Sequence, residues 1–183
     1  FNLYKELLSQ GMSTLHNERQ INSCYFDNKS FDMFHQSEEG VLPRKKIRVR
    51  WYENKPIYKK EIKTSSIEGR FKTVSETKIK SKSDLLESVF YDSNYGNVYP
   101  VSIVSYKRGY YSLNNMRITF DSNIFYYDVS GNLSFRKIDP EFVVEVKVPL
   151  SLDDDFIESF LPIPTSRFSK YARSVLARRS LFR

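Results

Sequence analysis

Cysteine is nearly missing from this chain: Cys24 is the only one in 183 residues. That excludes an internal disulfide framework and a cysteine-rich zinc site, and it suits a reducing compartment. Cys24 itself reads as a small, half-buried hydrophobe in a strand. Histidine is almost as scarce, and His16 and His35 lack metal-ligand spacing, so both are expected at the surface or in turns. No apolar run approaches the ~18 residues that a membrane-spanning helix needs. There is no visible signal peptide, no GxxxxGK[ST] phosphate loop, no internal repeat, no low-complexity segment and no linker. The chain begins at Phe1, not Met, and is expected to be an N-terminally truncated fragment.

Acidic residues are the minority sign. The 29 Lys and Arg outnumber 22 Asp and Glu, for a net charge of +7. Excess positive charge points to a polyanionic partner: nucleic acid, an anionic membrane or a phosphate compound. A solubilising surface is the plainer alternative, and only the placement of the charges separates the two. Hydrophobic residues at 40% and charged residues at 28% are ordinary for a globular chain. The length suffices for one domain, residues 1–183, that buries roughly 70% of its unfolded surface. Aromatics are plentiful, with 13 Tyr and 14 Phe, and they favour β structure beside alternating Val and Ile.

The pattern predicts α+β architecture dominated by antiparallel strands. A helix is expected from Asn2 to Gly11, and a strand over "QINSCYFDN". A turn of helix follows, ending at Gly40. Strands are expected from Arg44 to Tyr52, over "IYKKEIKT", around Arg70 to Val74, and from just after Pro100. Asn114-Asn115 suits a tight turn into "MRITFDSNIFYYDV", and "SGNLSF" suits another. "EFVVEVKVP" closes the set. Helices are expected at "KSDLLESVFYDS" with Ser83 as cap, at "LDDDFIESFL", and from Thr165 or Ser166 to the "RR" near the end.

Charge placement is the informative feature. In "KKIRVRWY", Ile47, Val49 and Trp51 fall on one side of an extended chain, and Lys46, Arg48 and Arg50 on the other. Lys59, Glu61 and Lys63 share a face in the next strand. Tyr106, Arg108 and Tyr110 do so in a third, Arg117 and Asp121 in a fourth, Glu145 and Lys147 in a fifth. One solvated sheet face explains any single strand. Together the strands bring Lys46, Arg48, Arg50, Lys63, Arg108, Arg117 and Lys147 onto one side, with Glu61, Asp121 and Glu145 as isolated carboxylates. A like-charge pair ~5 Å apart costs about 0.8 kcal/mol in water and about 3 kcal/mol at an effective dielectric of 20. A polyanion between the cations converts that repulsion to attraction. If the apolar sides face outward onto helices, the sheet is expected to close into a wide barrel around a hydrated cationic tunnel. Arg supplies forked donors for phosphate oxygens, and the carboxylates suit Mg2+ or Mn2+ held together with phosphate.

"YFDN", "KKIRVRWY", "YKKEIK", "VSYKRGYY", "RITFD", "FVVEVK" and "RFSKYARSVL" occur in the order of the VTC domain, and the chain resembles that family from about Ile21 to Ala177. This is the catalytic domain of vacuolar transporter chaperone polyphosphate polymerases and their bacterial relatives. It belongs to the triphosphate tunnel metalloenzymes, with the CYTH phosphatases and cyclases. The resemblance implies an antiparallel barrel tunnel that binds ATP or another triphosphate and a divalent metal, and that adds the γ-phosphate to polyphosphate. By motif, Arg48, Arg50, Lys63, Arg108, Arg117 and Lys170 resemble the catalytic cations. Lys46, Lys72 (or Arg70), Tyr106, Lys147 and Arg167 resemble further phosphate contacts, with Arg167 and Lys170 on one face of the last helix. Glu145 resembles the metal-binding glutamate, and Glu61 is either a second metal ligand or a partner for nearby cations.

The resemblance implies a further strand upstream of the first helix, which a truncated chain starting at Phe1 is expected to lack. The resemblance also implies a cytoplasmic setting, with a membrane complex reached through partners, and DNA is not expected as a ligand. Two function classes stay open beside polymerisation: triphosphate or polyphosphate hydrolysis in the same fold, and polyanion binding without catalysis. Asp153 to Asp155 read as an acidic helix start rather than a metal site, and "RSVLARRSLFR" as a solvated helix end.

Overall fold

The computed structural model describes residues 2–53, 55–129, 136–149, 155, 157–158, 161 and 164–179. In chain order the elements are α1 (Asn2–Ser9), β1 (Ser13–Asp27), α2 (Asp32–Glu39), β2 (Arg44–Tyr52), β3 (Lys55–Ser66), β4 (Gly69–Glu76) and α3 (Lys82–Glu87). They continue as β5 (Phe90–Asp92), β6 (Gly96–Leu113), β7 (Met116–Asp128), β8 (Arg136–Ile138), β9 (Val143–Lys147) and α4 (Lys170–Arg179). The expected "SGNLSF" turn, most of "LDDDFIESFL" and the last four residues lie outside the described residues.

The nine strands form an antiparallel sheet in the order β4-β3-β2-β1-β6-β7-β8, with β5 on β6 and β9 on β7. The expected closed barrel is corrected. Among the described residues, β4 pairs only with β3, and β8 and β9 pair only with β7, so two edges stay open. Alternation fixes which face is charged. It does not supply the backbone pairing that joins distant edges.

The sheet still curls. Lys63 on β3 feels the charge of Glu145 on β9. Those strands stand five spacings apart along the sheet, ~24 Å if it were flat, well beyond the ~8–10 Å over which charges act in salt water. The charged face therefore lines a trough.

Local chemistry explains most boundaries. Asn114 and Asn115 take φ of 47° and 64°, the doubly left-handed turn that joins β6 to β7. Gly40 ends α2 at φ 78°. Ser81, not Ser83, caps α3 in a reciprocal box with Asp84, and the helix stops at Glu87, leaving Val89 exposed. Pro100 lies inside β6 instead of before it, opposite Phe26 at a register shift where the ladder is already irregular. α4 starts at Lys170, later than Thr165 or Ser166, because the Ser169 hydroxyl accepts the Ala172 N–H at 3.2 Å.

The opposite face of the sheet is apolar. Cys24, Phe26, Ile47, Val49, Leu85, Val98 and Ile103 form its buried core, partly covered by α3 and β5. A smaller cluster of Leu7, Met12, Leu113, Met116 and Ile118 lies under α1. Cys24 is fully buried, which pushes its thiol pKa far up and leaves it unreactive. Among the described residues no helix is long and apolar enough to cross a membrane.

Candidate functional site

The first wall of the trough comes from β1 to β4. Lys46, Lys63 and Lys72 lie directly opposite one another across β2, β3 and β4. The next row sets Tyr25, Arg48 and Glu61 side by side. Arg48 donates from Nε and Nη2 to Glu61 Oε2 at 2.8 and 2.5 Å, and from Nη1 to the Tyr25 hydroxyl at 3.2 Å. Lys72 donates to the other oxygen of Glu61 at 2.8 Å. Arg50 donates to Ser23 Oγ at 3.3 Å and to the Tyr106 hydroxyl at 3.1 Å. Lys72, and not Arg70, joins this cluster, since Arg70 pairs with Ser65 one row away.

These contacts set the electrostatics. Burial alone would raise the Glu61 carboxyl, but the Arg48 and Arg50 charges and the Lys72 and Arg48 hydrogen bonds hold it at about 2. A carboxyl depressed on folding contributes stability above its unfolded pKa, ~4.3, and loses it as pH falls through the folded value. Glu61 should therefore contribute about 3 kcal/mol that disappears between roughly pH 4.5 and 2. Urea unfolding across that range should show this slope, and Glu61→Gln should flatten it; an unchanged slope in Glu61→Gln would refute the assignment. Lys63 behaves oppositely. The protein around its amine, then Arg48 and Arg50, lower it to about 8, although solvent reaches the side chain.

The second wall comes from β6, β7 and β9. Arg108 grips the fully buried Asp121 with two bonds of 2.5 and 2.7 Å, and reaches Glu145 at 3.4 Å. Arg117 and Lys147 stand directly opposite each other, both exposed. The Arg117 guanidinium lies over the Tyr110 ring, 5.6 Å from its centre. The buried Tyr106 ring carries Arg108 and Lys170 above it at 5.4 and 4.8 Å.

The start of α4 bridges the walls. Ser169 accepts from Lys46 of β2 at 2.9 Å, and Lys170 pairs with Asp121 of β7 at 2.6 Å. Tyr171 donates to the buried Asp27, which also accepts the Met33 and Phe34 N–H groups at the start of α2. Arg173 grips Asp139 with two bonds of 2.6 and 2.8 Å. The expected helical face shared by Arg167 and Lys170 is corrected. Arg167 precedes the helix, is exposed, and turns to Glu38 of α2.

Of the two expected metal ligands, Glu145 fits better. It is about half exposed, and its cationic neighbours stand off at 3.4 and 3.8 Å, leaving lone pairs for a cation that phosphate oxygens also hold. Glu61 has both oxygens engaged by Arg48 and Lys72. No cluster of three or more His, Cys, Asp or Glu with metal-binding placement occurs among the described residues. His16 packs edge-on against Tyr110. Asp153 and Asp154 lie outside the described residues.

Sequence reasoning passed over three groups that complete the face: Tyr25, Ser23 and Ser169. Tyr25 and Ser23 lie on the "NSCYFDN" strand at the registers of Arg48 and Arg50. Their common alternation with Cys24 was the available signal. Asp121 was visible only as an isolated carboxylate, not as the buried partner of two cations.

The chain matches the VTC domain family over residues 2–90 and 56–178. No curated protein matches it. Among solved structures, an adenylate cyclase candidate from Bacillus halodurans aligns with a TM-score of 0.60 at 16% identity, covering 94% of this chain and 90% of that one. A second adenylate cyclase candidate, from Vibrio parahaemolyticus, aligns with a TM-score of 0.47 at 14% identity, over 99% of this chain and 81% of the other. The Bacillus halodurans likeness is one of fold.

Proposed function

The chain belongs to the VTC domain family, and from that premise we propose that its trough binds triphosphate and polyphosphate and transfers the γ-phosphate of ATP to a growing polyphosphate chain. One observation carries the reading. Lys46, Lys63 and Lys72 face one another on adjacent strands, and Lys63 has no ion-pair partner among the described residues. Such a row is costly while empty and becomes favourable around a linear polyanion.

Phosphoryl transfer asks the protein for alignment and charge neutralisation rather than a side-chain nucleophile. Arg48, Arg50, Lys63, Arg108, Arg117 and Lys170 neutralise the transferred group and its neighbours. Lys46, Lys72, Lys147 and the Tyr106 hydroxyl hold the rest of the chain, with Arg167 at the outer margin. A terminal polyphosphate oxygen attacks the γ-phosphorus as its bond to the ADP oxygen breaks, so one P–O bond forms and one is lost. Glu145 would hold Mn2+ or Mg2+, which supplies further neutralisation of phosphate charge when bound.

The test is to incubate the full-length protein with ATP and Mn2+ and assay for acid-labile polymer. Polymer with matching ADP is the expected outcome. Free phosphate without polymer would assign hydrolysis instead, and unaltered ATP would leave binding alone.

A further inference from the structure

Tyr25 sits where the cations converge. Its ring is buried, stacked on Tyr171 at 5.1 Å between centres and 23° between planes. Its hydroxyl oxygen accepts from Arg48 Nη1 at 3.2 Å. Charged and titratable groups around it come from four elements, while β6 sets the uncharged Ser102 opposite it. β2 supplies Lys46, Arg48 and Arg50, β3 supplies Lys63, α4 supplies Lys170 and Tyr171, and β1 supplies Asp27. Nearby Glu61 is engaged by Arg48 and Lys72, and Asp27 by Tyr171. The phenol therefore meets a cationic surround whose other anions are already paired.

We propose that the Tyr25 hydroxyl is a further ligand contact: in mildly alkaline solution it is ionised in the free protein as an internal counter-anion, and it takes a proton from solvent when a phosphate polyanion enters the trough and donates it in a hydrogen bond to a phosphate oxygen. The inference rests on the polyanion-binding reading of the trough. Two anions cannot share the same cations without repulsion, so one must be neutralised. A phosphate chain carries more charge than a phenolate and offers only acceptors, so the phenol is the group that gains the proton. Burial would raise the Tyr25 phenol, but Arg48, Arg50 and Lys170 bring it down to about 8. Burial instead raises Tyr58, Tyr95, Tyr110 and Tyr171. A tyrosinate band near pH 8 thus reports Tyr25.

The experiment follows that band in the near ultraviolet while inorganic tripolyphosphate is titrated in, with binding measured in parallel by calorimetry. In the free protein the band should rise with a midpoint near pH 8. Saturating tripolyphosphate should bleach it and move the midpoint to about pH 10. Tyr25→Phe should lack the band at pH 8.5 and bind tripolyphosphate about three- to tenfold more weakly, in line with one lost hydrogen bond. Lys63 also titrates near pH 8 but is colourless, so the optical signal separates the two. Bound tripolyphosphate with an unchanged band would overturn the inference and leave the binding reading intact. No binding heat at all would overturn the binding reading itself. The wild-type bleaching decides the question even if Tyr25→Phe fails to fold.

Discussion

Asp121→Ala should destabilise the protein by about 3–5 kcal/mol, and tripolyphosphate should restore much of the loss. Asp121 is fully buried, accepts two hydrogen bonds from Arg108 and forms an ion pair with Lys170, and the side chains of those two cations are only 14% and 12% exposed. Removing one partner of a buried pair leaves the other charge uncompensated, and that typically costs about 3–5 kcal/mol. Glu145, at 3.4 Å from Arg108 and half exposed, replaces little of the lost attraction. Lys170 also holds the start of α4 over the sheet, so the variant should lose the contact between helix and trough. A bound polyanion would supply the missing negative charge to both cations. Ligand at about a thousand times Kd adds about 4.1 kcal/mol to any protein that binds it only when folded. In Asp121→Ala the increment should exceed that of the wild type, because no carboxylate competes for Arg108 and Lys170. Urea unfolding with and without inorganic tripolyphosphate measures both quantities. A loss below about 1 kcal/mol, or equal increments in the two proteins, would contradict this picture.

The elements that sequence made legible are those whose evidence is local. The strict alternation of Lys46 to Trp51 gave β2 its bounds and its two faces, and the structure places Ile47 and Val49 in the core as expected. Asn114-Asn115 announced its own turn. The start of β1 at Ser13 was hidden because "STLHNER" is polar and exposed on both sides, so no hydrophobic period marks it. Thr165 and Ser166 were as plausible caps as Ser169; what selected Ser169 is a lysine 123 positions away. The same limit applies to the trough. The cations were readable strand by strand, but their partners belong to other strands. Arg48 to Glu61 and Arg108 to Asp121 are register facts, and register is settled by pairing. Closure of the sheet was overread for that reason: a charged face needs a curled sheet, and a curled sheet does not need joined edges.

Arg48→Met should weaken tripolyphosphate binding by about 10- to 150-fold, the equivalent of about 1.5–3 kcal/mol for hydrogen bonds to a charged group. Arg48 is only 7% exposed and spans Glu61 and Tyr25, so its fork is fixed before any ligand arrives. Arg167→Met is the contrast. That side chain is 55% exposed, donates to the Glu38 carbonyl at 3.3 Å and meets the Glu38 carboxylate only at 3.9 Å, so its removal should change affinity by no more than about threefold. Arg48→Lys should fall between, since it keeps the charge and loses the planar fork. Arg48→Met also strands Glu61, which keeps Lys72 at 2.8 Å and Arg50 at 4.0 Å, and this should lower stability. Adding Glu61→Gln removes the stranded charge. The double variant should therefore regain stability in urea while its affinity stays low. Affinity that returned with stability would mean that Arg48 serves to hold Glu61, and that the phosphate is bound elsewhere along the trough.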